Sequence, residues 1–488
     1  MPGRVCVRSM TTPDVTAYVE EIRSLVAKHF SVYEVTVNYD AVRLMVRAED
    51  SNLGPKFEAL RKEMKERQLV PILKYAMGEH SITVVRSPPA RKGKLWINWI
   101  LLAITFVTTS LSGTLLWADY TGAADWLTLE NIAYGALFFA LPLMAILGVH
   151  ELSHYIASKR HGVDASLPYF IPSIPPFGTF GAFISMRDPM PNRKAMVDIG
   201  IAGPLGGLAV TIPVALVGLY LTAHGHPVSG VVDEAGVMAI FIQPLYMLLA
   251  MFVPFSGNMA LHPTAFAAWV GFLVTAINLL PVGQLDGGHV ARGLLGERAK
   301  YLGYATFAFL ALMSVFYDGW LLFAFLVFFL GLKHPAPLND VTRIDKRSIV
   351  LGLAGLVVLA VTFVPQPITT ITPDHSFDLD VVGGNNTTVV AGSVVELVVI
   401  VNNTGNTNSN VRMAIENIPG NWTASLYLSN GTSADATNVL SFALDYETQV
   451  SVTVVVHVPT DASLSRDLAL SATSSDFTAH QTLTINVA

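Results

Sequence analysis

The sequence predicts a polytopic α-helical membrane protein with an N-terminal ferredoxin-like α/β domain and a C-terminal immunoglobulin-like β-sandwich. Three observations lead there. Hydrophobic residues make up 52% of the chain and charged residues 14%, with mean hydropathy +0.50, whereas soluble domains carry about 25% charged residues. Long apolar stretches separated by basic loops fill residues 95–364. Residues 365–488 are instead rich in Ser, Thr, Asn and Val, with few Lys or Arg. The chain therefore divides into a soluble cytoplasmic α/β domain at 1–90, a transmembrane domain at 91–364 with about seven spans plus re-entrant segments, and an extracytoplasmic β-sandwich at 365–488. A net charge of −6 supplies no basic surface, so no nucleic-acid partner is expected. The single cysteine, Cys6, excludes an internal disulfide framework and a thiolate metal cluster.

In the N-terminal domain, residues 4–8 read as a short strand. Val15, Val19, Ile22, Leu25 and Val26 have helical spacing over 14–30. Residues 33–46 read as a hairpin turning at Asn38-Tyr39-Asp40, 56–67 as a second amphipathic helix, and 69–74 with 81–85 as a further strand pair. Strand, helix, hairpin, helix and strands make a two-layer sandwich. It carries no catalytic cluster, so a regulatory or assembly role is expected. The polar N-terminus has no signal-peptide pattern, and the first span is expected to act as the insertion signal.

Basic residues Arg91, Lys92 and Lys94 precede the first span, 95–117, and predict a cytoplasmic N-terminus. The acidic loop 118–131 is then outside, and the second span, 132–158, returns to Lys159-Arg160. Six prolines between 168 and 191 exclude a helix from the apolar segment that follows, which is expected to be re-entrant; Gly178 to Met186 within it reads as a strand. Further spans are expected at 197–222, 265–280, 301–317, 320–332 and 349–364. Residues 237–255 are apolar but broken by Gln243-Pro244. Alternation of basic loops requires that this segment not cross fully, unless one basic loop faces outward. The third span opens on a run of small residues, Gly200 to Gly207, which reads as close helix packing. His224 and His226 read as polar residues of an outer loop. After residue 364, strands are expected at 393–401, 411–415, 423–427, 448–458 and 467–472, with short turns between them. N-x-S/T sequons begin at Asn385, Asn386, Asn402, Asn421 and Asn430, in agreement with an external domain.

Chemistry concentrates in the second span. His150 and His154 lie four residues apart, so both imidazoles share one helix face and can reach one zinc, with Glu151 beside the open position. Charged residues at mid-bilayer cost about 2.5–3.5 kcal/mol each, so a cluster there marks a functional site. A catalytic zinc usually has three protein ligands. Asp286 is the best third ligand, because Pro281, Gly283, Gly287 and Gly288 break the backbone around it. Spacing alone also allows Asp286 simply to cap a turn. Glu297 sits farther into the basic loop, His289 three residues on, and Asp198 at a membrane boundary.

His150-Glu151-Leu152-Ser153-His154 within a span, followed by Asn278-Leu-Leu-Pro281 and Asp286-Gly287, resembles the site-2 protease family of intramembrane zinc metalloproteases. The 178–186 strand and Ala202-Gly203-Pro204 resemble its archaeal and chloroplast branch, over about residues 95–332. The resemblance implies one catalytic zinc held by His150, His154 and Asp286. It implies that Glu151 takes a proton from the attacking water and later delivers one to the leaving amine. Asn278 matches the family asparagine that holds substrate or the oxyanion, although a helix-packing hydrogen bond is a close alternative. Implied partners are transmembrane protein substrates within the lipid bilayer. An unwound substrate could add as a strand at Gly178, Phe180, Gly181 and Phe183. The external sandwich would bind an unknown ligand. No PDZ-like insert is evident, which leaves substrate selection open. The competing readings are a catalytically silent membrane scaffold or receptor of the same fold, which need not keep Glu151, and a zinc transporter, which would need metal sites on both sides of the bilayer.

Overall fold

A computed structural model describes residues 12–38, 41–49, 52–87, 93–227, 231–232, 236–253, 259–435 and 437–488. The chain forms two compact units. The first comprises Met1–His226 and Phe241–Pro367, the second Pro227–Ile240 and Ile368–Ala488.

The first unit begins with α1 (Thr12–Ala27), β1 (Ser31–Asn38), β2 (Ala41–Arg47), α2 (Leu53–Glu66), β3 (Leu69–Ala76) and β4 (Glu79–Arg86). The sheet is antiparallel with order β1-β2-β4-β3. Alternation in β2 buries Val42, Leu44 and Val46 beneath the helices. Phe57, Leu60 and Met64 recur at helical spacing in α2 and are fully buried against Ile82 and Val84. Each such side chain contributes about 1.5–3 kcal/mol by leaving water. The strand expected at 4–8 lies outside the described residues, as do Tyr39 and Asp40 of the expected hairpin turn. The central place between β2 and β3 belongs to β4.

The apolar part of the unit continues with α3 (Leu95–Thr121), α4 (Leu129–Gly135), a π-helical turn (Ala136–Ala140) and α5 (Leu141–Arg160). The hairpin strands β5 (Tyr169–Pro172) and β6 (Thr179–Phe183) follow, then α6 (Arg193–Ala223). Among the described residues three helices are long and apolar enough to cross a membrane: Leu95–Thr121, Leu129–Arg160 and Arg193–Ala223, of 27, 32 and 31 residues. At 1.5 Å per residue they measure roughly 40–48 Å, more than the ~30 Å hydrocarbon core. Residues 167–177, expected to be irregular throughout, supply half of the hairpin. Pro168 and Pro172 bound β5 rather than interrupt it, as proline does on edge strands.

Among the described residues of the apolar segment 237–255 there is no membrane-length helix: β7 (Val237–Ile240) is followed by the two-turn α7 (Pro244–Ala250), with proline at its first position. Helices α8 (Pro263–Asn278), α9 (Asp286–Leu295), α10 (Ala299–Met313), α11 (Gly319–Leu330) and α12 (Lys346–Thr362) complete the unit. Helices α8, α10, α11 and α12 fall on the remaining expected spans, but their 16, 15, 12 and 17 residues reach only about 18–26 Å.

In the second unit, β7 pairs with β8 (Ile368–Ile371). The strands β9 (Phe377–Val381), β10 (Asn386–Val389), β11 (Val394–Asn403), β12 (Ser409–Glu416), β13 (Thr423–Leu428), β14 (Val439–Leu444), β15 (Gln449–His457), β16 (Arg466–Thr473) and β17 (Thr478–Val487) form two sheets. Their orders are β10-β17-β16-β12-β14 and β13-β15-β11-β9. Alternate residues of both sheets, among them Val399, Val454, Met413 and Leu470, share one core. All five sequon asparagines are exposed.

Candidate metal centre

Helix α5 turns His150 and His154 to the same side and buries both, together with Glu151. That face packs on α6, where Gly203 and Gly207 stand opposite the imidazoles. A Cβ at Gly203 would lie 2.0 Å from His154 Nε2, and one at Gly207 3.1 Å from His150 Nδ1. One turn earlier along the same face of α6, a Cβ at Gly200 would lie 2.9 Å from the Asp286 carbonyl oxygen. The small-residue run thus does more than bring helices together. It leaves room on one face for two rings and, one turn earlier, for the start of α9.

The third element arrives from downstream. Helix α8 ends at Asn278, and a tight turn through Pro281 and Gly283 leads to α9, whose first residue is Asp286. Asp286 Oδ2 lies 3.2 Å from His150 Nε2 and 3.1 Å from His154 Nε2, and the two Nε2 atoms are 3.2 Å apart. Three ligand atoms tetrahedrally placed around a zinc at 2.0–2.1 Å would stand about 3.3 Å apart, so the donor set fits that ion. The hydrogen bonding agrees. His154 Nδ1 is 2.8 Å from the Ile199 carbonyl, which can only accept, so Nδ1 carries the proton. In the neutral ring Nε2 then presents a lone pair to a carboxylate oxygen and a second imidazole, an arrangement that a shared cation resolves. The Ile199 contact also fixes the ring, as partners of metal-bound histidines do.

Glu151 Oε1 is 3.9 Å from His150 Nε2 and Asn278 Nδ2 is 3.4 Å from the same atom. Both line a cavity of about 200 Å³ with the two histidines and Asp286. Its other wall is the exit of β6, where Ala182, Phe183, Ile184 and Met186 face the cavity. Of the four expected strand residues, Phe183 lines the cavity. Gly178 is pressed against α3 and accepts a hydrogen bond from Thr108 Oγ1 at 2.7 Å. Phe180 is 78% exposed, and Gly181 faces open space. One edge of β6 pairs with β5, and the other has no strand partner among the described residues.

The alternative ligands lie elsewhere. Glu297 lines a different cavity, and Asp198 pairs with His161 and Ser348. His289 lines the site cavity, but its Nδ1 bonds His334. His224 bonds the Tyr220 carbonyl of its own helix. Sequence reasoning missed Gly203 and Gly207 as parts of the site. Their spacing from Gly200, three and seven residues, was the available signal of a single helix face.

Known proteins resemble this core. Residues 138–317, which contain the motif helix and Asp286, match the family model of Peptidase family M50. The membrane core is similar, over those residues, to peptidase family M50, the site-2 protease family. The relatives of this core point to the chloroplast-like branch. It is 32% identical over 240 residues to "Probable zinc metalloprotease EGY1, chloroplastic" of Arabidopsis thaliana, covering 47% of this chain and 43% of that protein. The corresponding EGY2 protein of the same plant is 31% identical, covering 52% of this chain and 45% of its own length. The rice EGY1 protein (Oryza sativa subsp. japonica) is 35% identical over 185 residues, covering 36% of this chain and 31% of its own length. The chain thus spans less than half the length of the curated relatives it matches. Family and apolar helices together make it an integral membrane protein.

Proposed function

We propose that the chain is an intramembrane zinc metalloprotease that hydrolyses peptide bonds in or near the transmembrane segments of other proteins. The observation that carries this reading is the convergence of His150, His154 and Asp286 in one cavity that also holds Glu151. His150, His154 and Asp286 would hold the zinc. Zinc supplies a Lewis acid for the scissile carbonyl and brings the pKa of water to about 7. Glu151 is the general base: it takes the proton of the attacking water and passes it to the leaving amine. The Asn278 amide N–H₂ steadies the charge that develops on the carbonyl oxygen.

A substrate helix hides its peptide groups in its own hydrogen bonds, so it must unwind before hydrolysis. The free edge of β6 offers the replacement partners, and Phe183 sets the strand beside the cavity. The basic loops support a cytoplasmic N-terminus, about seven crossings and an external C-terminal domain. Two sheets around one core support an immunoglobulin-like reading of that domain. Two helices over a four-stranded antiparallel sheet support a ferredoxin-like relationship for residues 1–90 with β4 in the central place.

The test is Glu151→Gln in proteoliposomes holding a mixed set of single-span substrates. The variant should retain zinc and lose cleavage. Equal cleavage by both proteins would remove Glu151 from the mechanism, and none by either would favour a silent scaffold.

A further inference from the structure

The connector between α11 and α12, residues 331–345, reaches two places that matter to the metal site. At its middle it belongs to the N-terminal sandwich. Leu338 is buried in that sandwich's core, and Leu73 of β3 donates its N–H to the Leu338 carbonyl at 2.8 Å. A few residues either side, the connector grips α9. His334 Nε2 lies 2.7 Å from His289 Nδ1. Asp340 accepts two bonds from the buried Arg292 guanidinium, at 3.1 and 2.6 Å. Arg292 and His289 share α9 with Asp286, and His289 lines the site cavity. The sandwich also holds the other half of the site. Arg61 and Lys65 of α2 donate to the carbonyls of His161 and Gly162, just past the motif helix α5, at 3.2 and 3.1 Å.

We propose that the N-terminal sandwich is a clamp that holds Asp286 in register with His150 and His154, and that Arg292 and Asp340 are its positioning residues. The physical case rests on the break before α9. The turn at 279–285 interrupts the helix between α8 and α9, so packing and pins, not a continuous helical ladder, set where the first residue of α9 points. A bidentate guanidinium–carboxylate pair fixes direction as well as distance. Arg193 adds a second brace from α6 beside Arg292, donating to the Gly293 and Leu294 carbonyls at 2.8 and 2.6 Å. The clamp therefore joins both ligand-bearing helices through one folded body.

This inference rests on the proposed zinc site, and the test separates the two. The full-length protein in detergent is compared as wild type, Asp340→Asn, Asp340→Glu, and the double variant Arg292→Met/Asp340→Leu, which leaves no unpaired buried charge. Zinc affinity is measured by chelator competition, melting on the metal-free protein, and hydrogen exchange on α9 amides. Asp340→Asn and the double variant should bind zinc about tenfold or more weakly, the usual scale for losing an outer partner of a metal ligand. In the double variant metal-free melting should stay put and α9 exchange should quicken, and Asp340→Glu should recover most of the affinity lost in Asp340→Asn. Wild-type affinity and unchanged α9 exchange in the double variant would overturn the clamp and leave the metal site standing. A parallel fall in the metal-free melting of the double variant would overturn it too, by reducing the pair to general support. A wild type that takes up no zinc would overturn both readings.

Discussion

His154 Nε2 and Asp286 Oδ2 stand 3.1 Å apart across 132 residues of sequence. The metal reading depends on that closure. Asp286→Ala should lower zinc affinity by more than the roughly 10–100-fold that an outer partner costs, because it removes one of three donors. Isothermal titration of the metal-free protein measures it. Retention of wild-type affinity would show that another residue is the third ligand.

Gly203→Ala should weaken zinc binding from the opposite side of the site. The added methyl would sit 2.0 Å from His154 Nε2, the ligand atom itself, and the Ile199 contact keeps the ring from yielding. Overpacking of this kind costs about 1–3 kcal/mol. Gly206→Ala is the matched control for crowding of α5 on α6: its methyl meets Ser153 Oγ at 2.0 Å and Ser153 Cβ at 2.8 Å, and no ligand atom. Zinc content after dialysis should fall in the first variant and persist in the second.

Asp345 gives a pH dependence outside the apolar helices. It caps α12 by accepting from the Ser348 N–H at 3.0 Å and pairs with Lys194. The Lys194 bond, then the Ser348 bonds, hold its carboxyl well below the ordinary carboxylate range. A carboxyl depressed in the folded state stabilises at pH above its unfolded value, near 3.9, and that contribution is lost as pH falls through the folded value. The side chain is 42% exposed, so the ion pair is screened and the cap dominates, at about 1 kcal/mol. Asp345→Ala should therefore melt earlier than wild type at pH 7, with the gap closing below about pH 4. A gap independent of pH would mean that the carboxylate charge is not what stabilises the helix.

How much of this was legible follows from how each feature is encoded. His150 and His154 sit on one helix, where a spacing of four is itself a geometry, and Pro281 with its neighbouring glycines marked the break that aims Asp286. Gly203 has no side chain to advertise a role, so its run read as generic packing. The prolines flanking Tyr169–Pro172 masked a strand, because composition cannot tell a boundary from an interruption. Asp340 and Arg292 pair 48 residues apart, between segments whose approach no local pattern specifies. The strands β9, β10, β14 and β17 were missed for another reason. Their alternation is short or diluted by polar residues.

The proposed docking of substrate on β6 separates backbone from side-chain recognition. If an unwound segment adds to the free edge, what matters at Phe183 is an extended backbone beside the cavity. Phe183→Pro removes an N–H and restricts the chain at the strand's last residue, so cleavage should fall at least tenfold while zinc stays bound, since no ligand touches β6. Phe183→Ala keeps the backbone and removes a ring that is 48% exposed and stacks on Tyr169, so most activity should survive. Initial cleavage rates in proteoliposomes, normalised to zinc content, decide between them. Alanine as damaging as proline would mean that the ring is recognised and the strand edge is not. Full activity in the proline variant would take β6 out of substrate binding.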